Sequence, residues 1–235
     1  VGDLIKIIFA NNSDIKIEEM KLLPAQKSQK EIKKLKRWLN IISFPYRMEV
    51  IGLENINLND NVIICSNHAS FLDGVWILKA MEKNIDLTKI AGLAAYERQN
   101  GLLSNKLFKI LGQIPVDRSG NTVPAMNMAK NCLLQGYNMV IFPEGARSRD
   151  GSMLEFKKGT ARLAIDTNKS ILPIRMEGTF EIFPRHKKYP SIFDWKHFRR
   201  YKIKIIFGKA IEPKGYTVNE LTKKLYNTIE HMRTM

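Results

Sequence analysis

The sequence predicts an α/β fold: a mixed, largely parallel sheet flanked by helices in a single domain. Apolar β-rich runs alternate with runs of helical spacing along most of the chain, which is the order that a parallel sheet covered by helices requires. The 235 residues contain no long linker, low-complexity tract or internal repeat, so we expect one folded unit. We place a basic amphipathic helical appendage at residues 1–45 and the main domain at residues 46–235.

Local signals predict the individual elements. The predicted strands of the main domain are Asn61–Cys65, Met139–Phe142, Ile171–Met176 and Lys202–Phe207. The predicted helices are Gly74–Met81, Leu102–Leu111, one capped by Asn121 or Thr122 that ends at Gly136, one from Gly159 to about Thr167, and a closing helix that begins at a Thr217–Glu220 capping box and continues towards His231. Because ligands of such sheets bind where the strands end, the loops that follow strands are the first places to look for a site.

The appendage contains a basic amphipathic helix over Gln29–Ile42. Apolar residues recur there at helical spacing with lysines and an arginine between them. Such a helix can lie on a membrane surface, or it can cover the core of its own domain while its lysines are solvated. Trp38, Phe44 and Tyr46 favour the membrane interpretation slightly, and both interpretations stay open.

The chain is strongly basic. It has 38 Lys and Arg against 23 Asp and Glu, a formal net charge of +15, and such a field attracts polyanions: nucleic acid, anionic lipid or a phosphorylated small molecule. Two segments carry much of the excess, Lys21–Arg37 with seven basic residues and one acid, and Thr179–Lys204 with eight basic residues and two acids. We expect these segments to form the partner surface.

Cysteine content and hydropathy exclude several classes of protein. The two cysteines, Cys65 and Cys132, are too few for a disulfide framework and lack the spacing of a zinc site, so we expect no metal. The longest stretch without a charged residue, Asn131–Pro143, has 13 residues, whereas a membrane-spanning helix needs about 20. We therefore expect a cytoplasmic protein attached peripherally, although a chain that begins with Val could be part of a longer one.

The loop after the strand Asn61–Cys65 carries a histidine and a carboxylate, His68 and Asp73. Asp73 could hold one ring nitrogen of His68 so that the other acts as a base. Alternatively, Ser70 and Asp73 form a capping box at the start of a helix, and the two roles are compatible. Backbone amides at this helix start are candidate donors to an oxyanion. With no Gly-x-Ser-x-Gly elbow in the sequence, we interpret the pair as a general base without a protein nucleophile.

Two further loops carry arginines. Phe142–Gly151 contains two acids, two arginines, a serine and two glycines within ten residues, and Gly112–Arg118 is an extended run that ends in an arginine. Glycine permits close approach of the backbone, and arginine binds phosphate through a planar fork. Taken alone, the first loop is more typical of a solvated turn with arginines on the surface, and the second is a weak signal.

Together these loops resemble the glycerophospholipid acyltransferase family, which includes bacterial 1-acylglycerol-3-phosphate acyltransferases. Asn67-His68 with Asp73 matches the family's HxxxxD signature, and Ile114–Arg118 is similar to its second block. Phe142–Ser148 resembles the FPEGTRS block, with Ala146 in place of the usual Thr, and Leu172–Ile174 resembles the block usually read as VPV. The resemblance covers about residues 46–213.

The resemblance implies acyl transfer from a thioester, acyl-CoA or acyl carrier protein, to a hydroxyl of a lysophospholipid, above all 1-acylglycerol 3-phosphate, with no cofactor. It implies that His68 is the base and Asp73 orients it. The implied substrate-binding residues are Asn67, Arg118, Glu144, Gly145, Arg147, Ser148 and Lys157, with Arg118 and Arg147 on the acceptor phosphate. The departure at Ala146 leaves the acceptor head group open.

Three alternatives stand beside this hypothesis. The acceptor could be another glycerol phosphate or lysophospholipid, or water could replace it, which would make the protein a thioesterase. The high net charge would also suit a nucleic-acid binder, but no nucleic-acid motif is present in the sequence and we expect no such partner. We expect instead that aromatic and basic residues of the two basic segments meet an anionic membrane surface.

Overall fold

A computed structural model describes residues 26–56, 60–95, 112–116 and 121–234. Its seven strands form one sheet in the order β1-β7-β6-β2-β5-β3-β4. The strands are β1 (Arg47–Ile51), β2 (Ile63–Ser66), β3 (Ile90–Ala95), β4 (Gln113–Val116), β5 (Asn138–Ile141), β6 (Ile171–Glu177) and β7 (Lys202–Phe207). The predicted helix Leu102–Leu111 lies outside the described residues.

The sheet is mixed and largely parallel, as the sequence predicts. Strands β6, β2, β5, β3 and β4 run in one direction, while β7 pairs antiparallel with β6, and β1 pairs parallel with β7. Strands β2 and β5 are buried along their whole length. Continuous apolar runs of this kind are expected where helices cover both faces of a parallel sheet.

Five α-helices cover the two faces of the sheet in the described residues. They are α1 (Gln29–Ser43), α2 (Asp73–Met81), α3 (Val123–Leu134), α4 (Gly159–Thr167) and α5 (Val218–His231). One apolar cluster joins α1 and α2 to the first face, and a second joins α3, α4 and α5 to the other. The predicted capping box of the closing helix is confirmed, since the Thr217 side chain accepts from the amide of Glu220 and the Glu220 carboxylate accepts from that of Thr217.

Helix α1 covers the core of its own domain. It begins at a capping box formed by Ser28 and Glu31, and its residues Ile32, Leu35 and Leu39 are buried in the first cluster. The lysines between them are exposed. In the described residues the apolar stripe of this helix is therefore used inside the protein, while the division at residue 45 stays a prediction.

The sequence patterns do not predict two of the strands, β1 and β3. Strand β1 is short and half-exposed, and β3 has the sequence Ile-Ala-Gly-Leu-Ala-Ala, whose small residues carry little β-propensity. Both form because neighbouring strands pair with them along their length.

No helix in the described ranges is long and apolar enough to span a membrane.

Candidate active site

Parallel pairing brings the two polar loops to one edge of the sheet. Strand β2 pairs in parallel with both β5 and β6, so the loops that follow β2 and β5 emerge at the same edge. We call this the carboxyl edge, because five of the seven strands end there. It is the place where open α/β sheets bind their ligands.

His68 and Asp73 form a hydrogen-bonded pair at the carboxyl edge. The distance from His68 Nδ1 to Asp73 Oδ2 is 2.9 Å, and the exposed fractions of the two side chains are 13% and 0%. The same Oδ2 accepts hydrogen bonds from the amides of Ala69 and Ser70, each at 2.8 Å. The carboxylate therefore fixes both the ring and the backbone turn that carries it, and the imidazole would act as a base through Nε2.

The predicted capping box at Ser70 is only half formed. The Asp73 carboxylate accepts from the Ser70 amide, but the hydroxyl of Ser70 accepts from the amide of Leu72 at 3.4 Å and not from that of Asp73. Helix α2 begins at Asp73, with Leu72 at the N-cap position and no side-chain cap. The capping-box pattern places the N-cap at Ser70, but in the structure the turn continues for two more residues, to Leu72. This turn places the Asp73 carboxylate against the His68 ring.

The backbone of His68 joins the two loops. Its amide donates to Glu144 Oε1 at 2.8 Å, and its carbonyl accepts from the amide of Ser148 at 2.8 Å. The ring also stacks on Phe142, with centroids 4.0 Å apart and planes at 17°. The position of the imidazole is thus set from both loops at once.

The buried carboxylate of Glu144 links two backbone segments through hydrogen bonds. Besides the amide of His68, its carboxylate accepts from the amide of Leu154 at 3.1 Å, and the residue is 4% exposed. Burial raises the pKa of Glu144 to about 7, although the hydrogen bonds from the two amides act in the opposite direction. This geometry favours a positioning role over the substrate contact predicted for Glu144.

Asn67 and Ser148 are also occupied by neighbouring groups. The Asn67 amide accepts from the Met176 N–H at 2.8 Å and donates to the Met176 carbonyl at 3.0 Å, which ties the end of β2 to β6. The Ser148 hydroxyl donates to Asp150 at 3.1 Å and accepts from the amide of Gly151 at 2.8 Å. For both residues the geometry favours positioning of the loops over the substrate contact predicted.

Of the remaining predicted residues, Arg147 lies on the loop after β5 and Lys157 lies beside Gly145 of that loop. The guanidinium of Arg147 lies 5.6 Å from the centroid of the Phe71 ring. Gly145 has φ +69°, and a Cβ there would meet Lys157 Cε at 2.9 Å, so the glycine is needed for the turn and for the lysine beside it. Arg118 lies outside the described residues, and its role stays a prediction.

The prediction that amides near Ser70 stabilise an oxyanion stays a prediction, and the amides of residues 69–73 already have acceptors within the protein. The amides of Ala69, Ser70 and Leu72 donate to side-chain oxygens in the same turn. Those of Phe71 and Asp73 donate to the carbonyls of Phe183 and Ser70. These five donors are consumed in shaping the turn.

Sequence reasoning missed an apolar cleft beside the pair. Its lining includes Phe142, whose ring stacks on His68, and Gly74, which follows Asp73 in the chain. The other lining residues come from α2 and from three neighbouring strands: Leu78, Ile90, Ala91, Gly92, Leu93, Gln113 and Val140. No local pattern could have found this cleft, because its walls join residues from four separate elements. Its lining is apolar, and its volume is small, about 30 Å³.

No nucleophile is available beside His68 in the described ranges. Ser66, Ser70 and Cys65 are completely buried, and burial raises the pKa of the Cys65 thiol. In the same ranges no group of three or more His, Cys, Asp or Glu side chains could hold a metal ion. A histidine in such surroundings could act as a base on a group that a substrate brings.

The comparison with known proteins places this fold in the acyltransferase family. The model of the acyltransferase family matches residues 47–177, and the chain belongs to this family. The fold is also that of the crystal structure of the 1-acyl-sn-glycerophosphate (LPA) acyltransferase PlsC from Thermotoga maritima, with a TM-score of 0.67 and 24% identity over 98% of this chain and 86% of that one.

Among curated relatives, the chain is similar to a chloroplastic 1-acyl-sn-glycerol-3-phosphate acyltransferase, LPAT1 of Arabidopsis thaliana. The two are 31% identical over 153 residues, which are 63% of this chain and 41% of the relative. The 1-acyl-sn-glycerol-3-phosphate acyltransferase of Borreliella burgdorferi is 30% identical over 152 residues, 64% of this chain and 57% of the relative. The matched region thus spans about two fifths to three fifths of these relatives.

Proposed function

We propose that this protein transfers an acyl group from a thioester to the free hydroxyl of 1-acylglycerol 3-phosphate, giving phosphatidic acid. The observation that carries the proposal is the His68–Asp73 pair, which lies beside an apolar cleft and lacks a neighbouring protein nucleophile in the described residues. The curated relatives named for this reaction support the choice of acceptor.

His68 would activate the acceptor directly. Nε2 takes the proton of the acceptor hydroxyl as its oxygen attacks the thioester carbonyl carbon. The tetrahedral intermediate then collapses, the C–S bond breaks, and the leaving thiolate takes the proton from the imidazolium. Asp73 stabilises the imidazolium through the 2.9 Å contact with Nδ1, which is the usual division of labour in a carboxylate–histidine pair.

Arginines would hold the acceptor phosphate. Arg147 lies on the loop that is tied to His68, over Phe71, and its planar fork suits a phosphate group. Arg118, by the resemblance of its block, and the exposed ammonium of Lys157 would add charge around the same anion. This arrangement favours a phosphorylated acceptor over a neutral one.

The cleft, with a volume of about 30 Å³, would hold the first carbons of the donor's acyl chain. Phe142, whose ring stacks on His68, lines the cleft, which extends between α2, β3 and β5. An acyl chain in the cleft would therefore bring its thioester close to His68. Acyl-CoA and acyl carrier protein are both compatible with this proposal, which requires no cofactor or metal. Since acceptor and product are amphiphiles, we also propose peripheral attachment to an anionic membrane.

Mass spectrometry of the products tests the proposal. The protein is incubated with mixed acyl thioesters and a panel of lysophospholipids together with glycerol 3-phosphate. We expect phosphatidic acid from 1-acylglycerol 3-phosphate, and a loss of roughly 100- to 10,000-fold in rate for His68→Ala. Thioester release that does not respond to any acceptor would make the protein a thioesterase, and full activity in a folded His68→Ala protein would refute the mechanism.

The order of substrate addition gives a second test. Direct transfer predicts that both substrates bind before any product leaves, so double-reciprocal plots at several acceptor concentrations should intersect. Parallel lines and a burst of free thiol without acceptor would indicate an acyl-enzyme intermediate. That outcome would require a nucleophile which the described residues do not provide.

A further inference from the structure

The connection between β6 and β7 carries four strongly exposed apolar side chains, three aromatic and one aliphatic, that the reaction does not use. Tyr189, Ile192, Trp195 and Phe198 are 81%, 61%, 77% and 79% exposed. We propose that these four side chains, which we call the aromatic surface, dock the protein on an anionic lipid bilayer. The inference deepens the proposed function and rests on it for the identity of the lipid substrate.

A closed turn holds two members of the aromatic surface, Trp195 and Phe198, in place. The backbones of Asp194 and Arg199 exchange two hydrogen bonds, at 2.9 and 3.1 Å, and Phe198 adopts φ +50°, a conformation that is rare for a bulky residue. The ring of Phe193 contacts those of Trp195 and Phe198, with centroids 4.9 and 5.6 Å apart. The turn therefore presents its rings to the outside without further ordering on binding.

The direction of β7 places this turn at the carboxyl edge. Strand β7 runs antiparallel to β6, so the connection between them lies at the edge where β6 ends, which is the edge that carries His68. The backbone confirms the proximity, because the amide of Phe71 donates to the carbonyl of Phe183 and the two rings are in contact, with centroids 5.5 Å apart. Contact with a bilayer there would face the site towards the lipid.

The end of α1 extends the same surface. Strand β1 pairs parallel with β7, which brings the residues before β1 to the carboxyl edge. Arg200 donates to the backbone carbonyls of Phe44, Pro45 and Tyr46, and its guanidinium lies over the Phe44 ring. Phe44 is itself 80% exposed. The residue that follows α1 thus faces solvent, although the apolar stripe of the helix is buried.

The charge around the aromatic surface fits an anionic bilayer. Of the two acids in Thr179–Lys204, Asp194 is paired with His197 and Arg199, so its charge is balanced within the turn. The lysines and arginines at positions 185, 188 and 196 are exposed. Aromatic rings interleaved with basic side chains are typical of proteins that bind the headgroup region.

Co-sedimentation of the full chain with vesicles tests the aromatic part of the proposal. The vesicles are phosphatidylcholine alone and phosphatidylcholine with phosphatidylglycerol. The double variant Trp195→Ala and Phe198→Ala should bind the anionic vesicles about 100-fold more weakly, at roughly tenfold for each ring. The matched control is Tyr216→Ala, since Tyr216 is partly exposed and lies near the opposite edge, and it should bind like the wild type.

A second pair of variants tests the charge. Lys188→Gln with Lys196→Gln should weaken binding to the anionic vesicles roughly 30-fold and should reduce its dependence on salt. Lys223→Gln with Lys224→Gln removes the same charge from exposed positions on α5 and should have little effect. Because all four lysines are on the surface, these variants remain informative if the aromatic variant folds poorly.

The outcomes separate this inference from the proposed function. The protein with His68→Ala should bind vesicles like the wild type, so binding is tested even if no acyl transfer is found. The inference is overturned if the variants of the β6–β7 connection bind vesicles like the wild type, or if the control variants lose as much vesicle binding as they do. It is also overturned if a variant of this connection dissociates an oligomer in the absence of vesicles, because a second copy of the chain would then be the occupant.

Discussion

Replacement of Asp73 by Asn separates the proposed catalytic role of this carboxylate from its structural role. Oδ2 accepts three hydrogen bonds, from His68 Nδ1 and from the amides of Ala69 and Ser70, while Oδ1 is buried and has no hydrogen-bond partner among the residues that the structure describes. An Asn whose oxygen takes the Oδ2 position keeps all three bonds and loses the charge. Asp73→Ala loses the three hydrogen bonds as well as the charge.

The two variants should differ in stability. In Asp73→Ala the buried amides of Ala69 and Ser70 lose their acceptor, at about 1–3 kcal/mol for each unsatisfied donor. For a domain of this size each kcal/mol lowers the melting temperature by about 2–4 °C, so we expect a decrease of roughly 5–20 °C. Asp73→Asn places one unsatisfied amino group at the Oδ1 position and should lose at most about half as much.

Activity should fall together in both variants. Each lacks the negative charge that stabilises the imidazolium of His68, so the rate per folded molecule should decrease roughly 100- to 10,000-fold. Thermal unfolding and initial rates are measured on the same samples. Ser70→Ala serves as a control, because it removes only the hydroxyl that accepts from Leu72 and should leave the rate near that of the wild type. A rate in Asp73→Asn that falls only in proportion to the lost folded protein would refute the catalytic role.

Three further predictions follow from the same edge of the sheet. Arg147→Ala should raise the Michaelis constant of the acceptor far more than that of the donor, with partial rescue by lysine, and an equal effect on both would contradict phosphate binding. Burial raises the pKa of Glu144 from 4.5 to about 7, so stability should be lost as the pH rises through 7, by roughly 3 kcal/mol between pH 4 and 8, and thermal unfolding of Glu144→Gln should show a smaller loss. A Cβ at Gly74 meets no atom within 4 Å, so Gly74→Leu should fill the cleft and favour shorter acyl donors by roughly tenfold; an unchanged chain-length profile would remove the cleft from the donor site.

Much of the fold could be predicted because its signals are local. Strands β2, β5 and β6 are apolar runs of strand length, and the capping box at Thr217 is complete within four residues. Strand β3 could not be predicted in this way. Its Gly92 and alanines carry no strand signal of their own, and the strand exists because β4 and β5 pair with it on either side.

The site could be predicted as a set of residues but not as a set of roles. Asn67 and Glu144 have the same chemistry as substrate ligands, and only the fold shows that backbone groups use their hydrogen-bonding capacity. Those partners lie 109 residues from Asn67 and 76 residues from Glu144 along the sequence. A role that depends on such distant backbone groups leaves no local pattern.

The two buried carboxylates at the site have different functions because their surroundings differ. Asp73 contacts the ring of His68 and can balance its positive charge, whereas Glu144 contacts only the backbone amides of His68 and Leu154. The charge of Asp73 is itself among the causes that raise the pKa of Glu144 to about 7. A neutral Glu144 still holds its amides, so the position of the imidazole does not require a second negative charge. The pair of carboxyls can thus provide a counterion for His68 while adding little repulsion against a phosphate approaching Arg147.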